Sequence, residues 1–148
     1  MARIDFAFGA PDRLRMACEV VHKHYLAGRR MFVYCTDTRR LERFDLLLWG
    51  FERTAFVPHV SADDELAEIT PVHLSTKPPP GNEPVAAWLL NLDTACVPEA
   101  HRYTRILEIV SHHEADKTQA RDRWRAYKDE GHELHAHDVG SRAPESPA

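Results

Sequence analysis

Two groups of side chains in this sequence have types and spacing that suit binding chemistry. The first is the run at 117–128, Lys-Thr-Gln-Ala-Arg-Asp-Arg-Trp-Arg-Ala-Tyr-Lys, where five cations stand against Asp122. At about 100° per helical residue, Lys117, Arg121, Trp124 and Lys128 share a stripe about 60° wide, and Arg125 flanks it. Ala120 and Tyr127 fall just beyond Trp124, on the side expected to face a core. A guanidinium can grip a carboxylate with two hydrogen bonds, and a lysine adds a point charge. The aromatic edge supplies an apolar anchor. That combination suits a short acidic peptide with an apolar end residue. The same pattern also describes a solvated helix whose Lys and Arg stems merely cover Trp124, and pattern alone does not separate the two.

The second group is histidine. The chain has ten, among them His132, His135 and His137 in the run His-Glu-Leu-His-Ala-His. The spacing of His135 and His137 would suit a strand, and the cluster could offer metal ligands. A metal-dependent enzyme using His132 to His137 is therefore the alternative reading. Against it, HExxH is missing, and zinc sites usually declare themselves by recognisable spacing with Cys or acidic partners. Surface histidines titrating near neutrality explain the run equally well. Cys18, Cys35 and Cys96 are widely spaced, have apolar neighbours and read as small buried hydrophobes. The six glycines are scattered, with neither GxxxxGK[ST] nor GxGxxG, so no phosphate cradle is indicated. No GxSxG elbow is present either. No metal and no cofactor are expected.

These residues need a frame. The chain has 148 residues, 43% apolar and 28% charged, which suits one globular domain with one core. Its net charge of −4 disfavours coating nucleic acid, so no direct DNA binding is expected. No apolar run approaches the roughly 20 residues of a membrane span, which implies no membrane contact and a cytoplasmic location.

Ile4 to Phe8 reads as a strand. Leu14, Ala17, Cys18, Val21 and Tyr25 then fall at helical spacing behind Pro11 and Asp12, up to Gly28. Met31 to Cys35 reads as a buried strand. Asp37 caps a helix carrying Leu41, Phe44 and Leu48 on one face. The stretch 55–59 is an edge or loop because of Pro58. Short strands are expected at 69–74 and 85–92, a last strand at 103–110, and a helix over 117–130. This order predicts an α/β fold: a three-layer α/β/α domain over 1–137 with a mostly parallel sheet, nucleotide-binding-like but without a phosphate loop. The Gly, Ser and Pro content of 138–148 predicts a disordered tail.

In three places the chain resembles the chi subunit family of bacterial DNA polymerase III. These are Ala27-Gly28-Arg29-Arg30 running into Met31–Cys35, Leu46-Leu47-Leu48-Trp49 followed by Phe56-Val57-Pro58-His59, and Ala120 to Lys128. The resemblance implies a non-catalytic adaptor. It would link the clamp loader, through the psi subunit, to the acidic C-terminal tail of single-stranded DNA-binding protein, which ends in Pro-Phe. Carried over residue by residue, the tail site would use Lys117, Arg121, Trp124 and Arg125, with Val110 and Trp49 as apolar neighbours. The psi interface would include Phe56, Val57 and Pro58, and a helicase is a further partner implied for that surface. The first strand and the segment 61–84 depart from the family pattern.

Overall fold

The computed structural model describes residues 1–140. Its strands are β1 (Arg3–Ala10), β2 (Met31–Tyr34), β3 (His59–Ser61), β4 (Val72–Ser75), β5 (Trp88–Asn91), β6 (Arg105–Ser111) and β7 (Glu133–Asp138). The helices are α1 (Arg13–Leu26), α2 (Thr38–Gly50) and α3 (Glu114–Asp129). The strands form one sheet in the order β3-β4-β2-β5-β6-β1-β7, with every pair parallel.

Strand alternation sorts side chains to two faces. On one face Val33, Leu90, Leu107 and Ile109 pack against Ala17, Cys18 and Val21 of α1 and Leu41, Phe44 and Leu48 of α2. On the other, Ile4, Phe6, Leu89, Ile106 and Val110 pack against Ala120 and Tyr127 of α3. The result is the three-layer arrangement expected from the order of elements. Asp12 and Asp37 act as N-caps, accepting from Arg15 N at 3.1 Å and Arg40 N at 3.2 Å.

An open α/β sheet ordinarily binds ligands beyond the carboxyl ends of its strands. Here two arginines from helix N-termini fill that position over β5 and β6. Arg13 donates to the carbonyls of Ile109 (2.9 Å), Leu92 (3.0 Å) and Asp93 (2.8 Å). Arg40 donates to Leu92 O at 3.1 Å. Carbonyl groups and guanidinium groups thus satisfy one another where glycine N–H groups would otherwise meet a phosphate.

Four sequence expectations change. The strand at 103–110 is not the last, because β7 follows α3 and pairs with β1. In β7 only Leu134 packs against a core cluster, so an edge strand that shows polar residues to solvent carries little apolar signal. Domain structure also continues past 137: Asp138 ends β7 and Val139 N donates to Phe8 O at 2.9 Å. The remainder of the expected tail, 141–148, lies outside the described residues. Finally, the apolar run 85–92 is strand only from Trp88, since Val85 pairs with Tyr103 instead, and the short strand begins at Val72, after a 3-10 turn over Ala67–Ile69.

Candidate binding site

Helix α3 crosses β6 and β7, and burial decides which of its cations can meet a ligand. Arg123 turns inward. Its Nε lies 3.0 Å from Glu108 Oε1, and its Nη1 donates to Thr94 O at 3.0 Å. Glu108 Oε2 accepts from Asn91 Nδ2 and from the Tyr127 hydroxyl, each at 2.8 Å. Tyr127 Oη in turn accepts from Val97 N at 3.0 Å. Burial, followed by the neighbouring Glu108 carboxylate, raises the Tyr127 pKa, so the phenol stays a donor. The five-cation run is therefore a four-cation surface, with Arg123 serving the core.

Three of these four outward cations border a cavity of about 680 Å³ between α3 and the β1–β7 edge. Phe6, Phe8, Val110, Ala120 and Trp124 supply its apolar lining, while Lys117, Arg121 and Arg125 line it from α3. Phe6 meets Trp124 edge to face at 5.2 Å, which holds the indole as a wall. Phe8 is 40% exposed and opens its ring to the cavity. Lys117 contacts Glu114 at 3.6 Å and Arg125 contacts Asp122 at 3.7 Å. Both are exposed pairs one turn apart and cost little to exchange for a ligand carboxylate. Among the described residues Arg121 has no ion-pair partner. Ala136 and Asp138 close the β7 side.

Lys117, Arg121, Trp124, Arg125 and Val110 are thus brought together as expected. Trp49 is not. It stands on α2, whose buried side packs with α1 on the opposite face of the sheet. Its ring lies 5.7 Å from Phe56 and 4.1 Å from His59. Phe8 and Phe6 line the cavity where Trp49 was expected. Neither is singled out by the sequence, because Ile4 to Phe8 reads only as a strand and β7, which completes the cavity, carries little apolar pattern.

The second expected surface is also redrawn. Phe56 is 63% exposed and Pro58 is half-buried, but Val57 is fully buried in the α1–α2 core. Val57 can position its neighbours but presents no side chain to a partner. Trp49 and Phe56 together form the exposed aromatic patch.

The histidine run does not converge. His132 Nδ1 accepts from Ala2 N at 3.0 Å, His135 pairs with Glu133, and His137 Nε2 lies 3.0 Å from Asp5. Among the described residues no group of three His, Cys, Asp or Glu side chains is placed to hold a metal ion. Burial works against ionisation of Asp5, yet hydrogen bonds from His137, Arg3 and Arg105 outweigh it and hold the carboxyl below its ordinary range.

The family model described as DNA polymerase III chi subunit, HolC, matches residues 1–135. The chain belongs to the DNA polymerase III chi subunit family. A chi subunit from Pseudomonas aeruginosa is 32% identical over 141 residues, covering 93% of this chain and 96% of the relative. The chi subunit of Escherichia coli (strain K12) is 27% identical over 120 residues, 81% of each chain. That of Haemophilus influenzae is 26% identical over 125 residues. The chi family match ends within β7, so it takes in α3 and nearly all of the cavity beside it.

Proposed function

We propose that this chain is a non-catalytic accessory subunit in DNA replication that docks the acidic C-terminal tail of single-stranded DNA-binding protein in the α3 cavity. The supporting observation is the pairing of an apolar cavity with Lys117, Arg121 and Arg125 along one side. Tail carboxylates would meet those cations, and a terminal aromatic side chain would enter between Val110, Phe8 and Trp124. The aromatic patch of Trp49 and Phe56, with Pro58 beside it, is the surface proposed for psi, and a helicase is a further candidate there. Tethering the clamp loader to coated single strands raises its effective concentration at the template. No helix among the described residues is long and apolar enough to cross a membrane, and the proposed setting is the cytoplasm. The overall charge leaves direct DNA binding outside the proposal.

The experiment is a titration of a fluorescent acidic tail peptide ending in Pro-Phe against the wild-type chain and Arg121→Glu. The reversal removes one attraction and adds a repulsion, so binding should be lost, and wild-type affinity should fall as salt rises. Equal affinities for the two proteins would reject this site.

A further inference from the structure

The aromatic patch on α2 does not end at its rings. His59 lies against Trp49, and its Nε2 reaches Asp45 at 2.8 Å. Asp45 in turn lines a second cavity of about 650 Å³, together with Glu42 and Asp63. Three carboxylates and Lys77 are the charged groups of that lining. Glu42, Asp45 and Trp49 are spaced three and four residues apart, so they share one stripe of α2. The stripe is therefore continuous: carboxylates at its N-terminal half, aromatic rings at its C-terminal half. Arg39 and Arg43 fall roughly 60–100° away around the helix and mark its other border.

Resting on the reading of Trp49 and Phe56 as a partner surface, we propose that this stripe docks a segment carrying an apolar side chain and a Lys or Arg. The apolar group sits on Trp49 and Phe56, and the cation enters the cavity among Glu42, Asp45 and Asp63. At about 1.5 Å of rise per residue, Asp45 and Glu42 stand roughly 6–10 Å along the helix from Trp49. A helical partner spans that with a separation of four to seven residues, and an extended one with two or three. Phe32, Leu41 and Leu74 line the same cavity and suit the methylene stem of a lysine or arginine. The charge is opposite to that of the α3 cavity, so an acidic tail suited to one surface is repelled by the other.

Random dodecapeptides displayed on phage, selected on the wild-type chain and counter-selected on Phe56→Ala, test this without knowledge of the natural partner. Phe56 is exposed, so the variant keeps the fold. The peptides that depend on Phe56 should be enriched in an aromatic or aliphatic residue at the stated separation from Lys or Arg. One such peptide, titrated against Glu42→Lys/Asp63→Lys, should bind about tenfold or more weakly, with the loss shrinking at high salt. Phe56-dependent peptides without basic enrichment, or unchanged affinity for the reversal, would overturn the inference and leave the aromatic surface standing. If no selected peptide depends on Phe56, the surface reading itself falls.

Discussion

Arg123 Nε stands 3.0 Å from Glu108 Oε1, and the two side chains are 4% and 0% exposed. The pair sits beneath α3 and sets which side of the helix faces the sheet. Removing one member leaves the other charge buried without its partner, which costs about 3–5 kcal/mol. Arg123→Ala should show that loss in urea denaturation. Arg121→Ala, two residues earlier on the open side, should stay within about 0.5 kcal/mol of wild type. Similar midpoints for the two variants would show that Arg123 does not hold the helix.

The apolar half of the proposed tail site distinguishes Phe8 from Trp49. Phe8 lines the α3 cavity, whereas Trp49 faces away on the far side of the sheet. Phe8→Ala should weaken an acidic Pro-Phe peptide by about tenfold, the loss expected for an aromatic contact of about 1–2 kcal/mol. Trp49→Ala should leave that affinity unchanged. Isothermal titration of both variants decides, and the opposite ranking would return Trp49 to the tail site.

The contrast between Arg121 and Arg123 shows what sequence could and could not disclose. Helical periodicity placed Lys117, Arg121 and Trp124 on one stripe, and the structure keeps them together. It leaves Arg123 off that stripe but does not say what meets it, because periodicity does not reveal a buried carboxylate on a strand fifteen residues away. Strands buried on both faces, such as β2, announce themselves as apolar runs. Edge strand β7 does not, since its stability comes from backbone pairing with β1, and a ladder of N–H and C=O groups has no residue signature. Without β7 the cavity had no second wall, and so Phe8 had no visible role. Trp49 was placed by resemblance in sequence order, which carries no information on which face of the sheet a helix covers.

The cysteines should be slow to react. Burial pushes the Cys18 thiol up to about 12 and the Cys96 thiol up to about 11, and it raises Cys35 as well. The thiolate is the nucleophile, so each unit of elevation cuts its population about tenfold at neutral pH. A chromogenic disulfide reagent at pH 7.5 should label all three rapidly in denaturant and none rapidly in the native chain. Fast native labelling of Cys18 would place it outside the core.

His24 links acidity to stability. Burial, then the charges of Arg29, Lys23 and Arg105, lowers its pKa from 6.5 to about 4. Arg29 Nη1 lies 2.9 Å from its Nδ1, and Trp88 packs at 4.9 Å from the ring. The folded value is below the unfolded one, so the unfolded chain takes up the proton first as pH falls. Stability from a neutral His24 is therefore fully present above about 6.5 and is lost progressively as pH falls toward about 4. An NMR titration of the imidazole should find a midpoint near the lower value, and Arg29→Ala should raise it by removing the adjacent cation. His24→Gln should flatten the fall in thermal midpoint across this window. An unchanged slope in that variant would assign the acid sensitivity to other groups, with Asp5 and its cations the next to test.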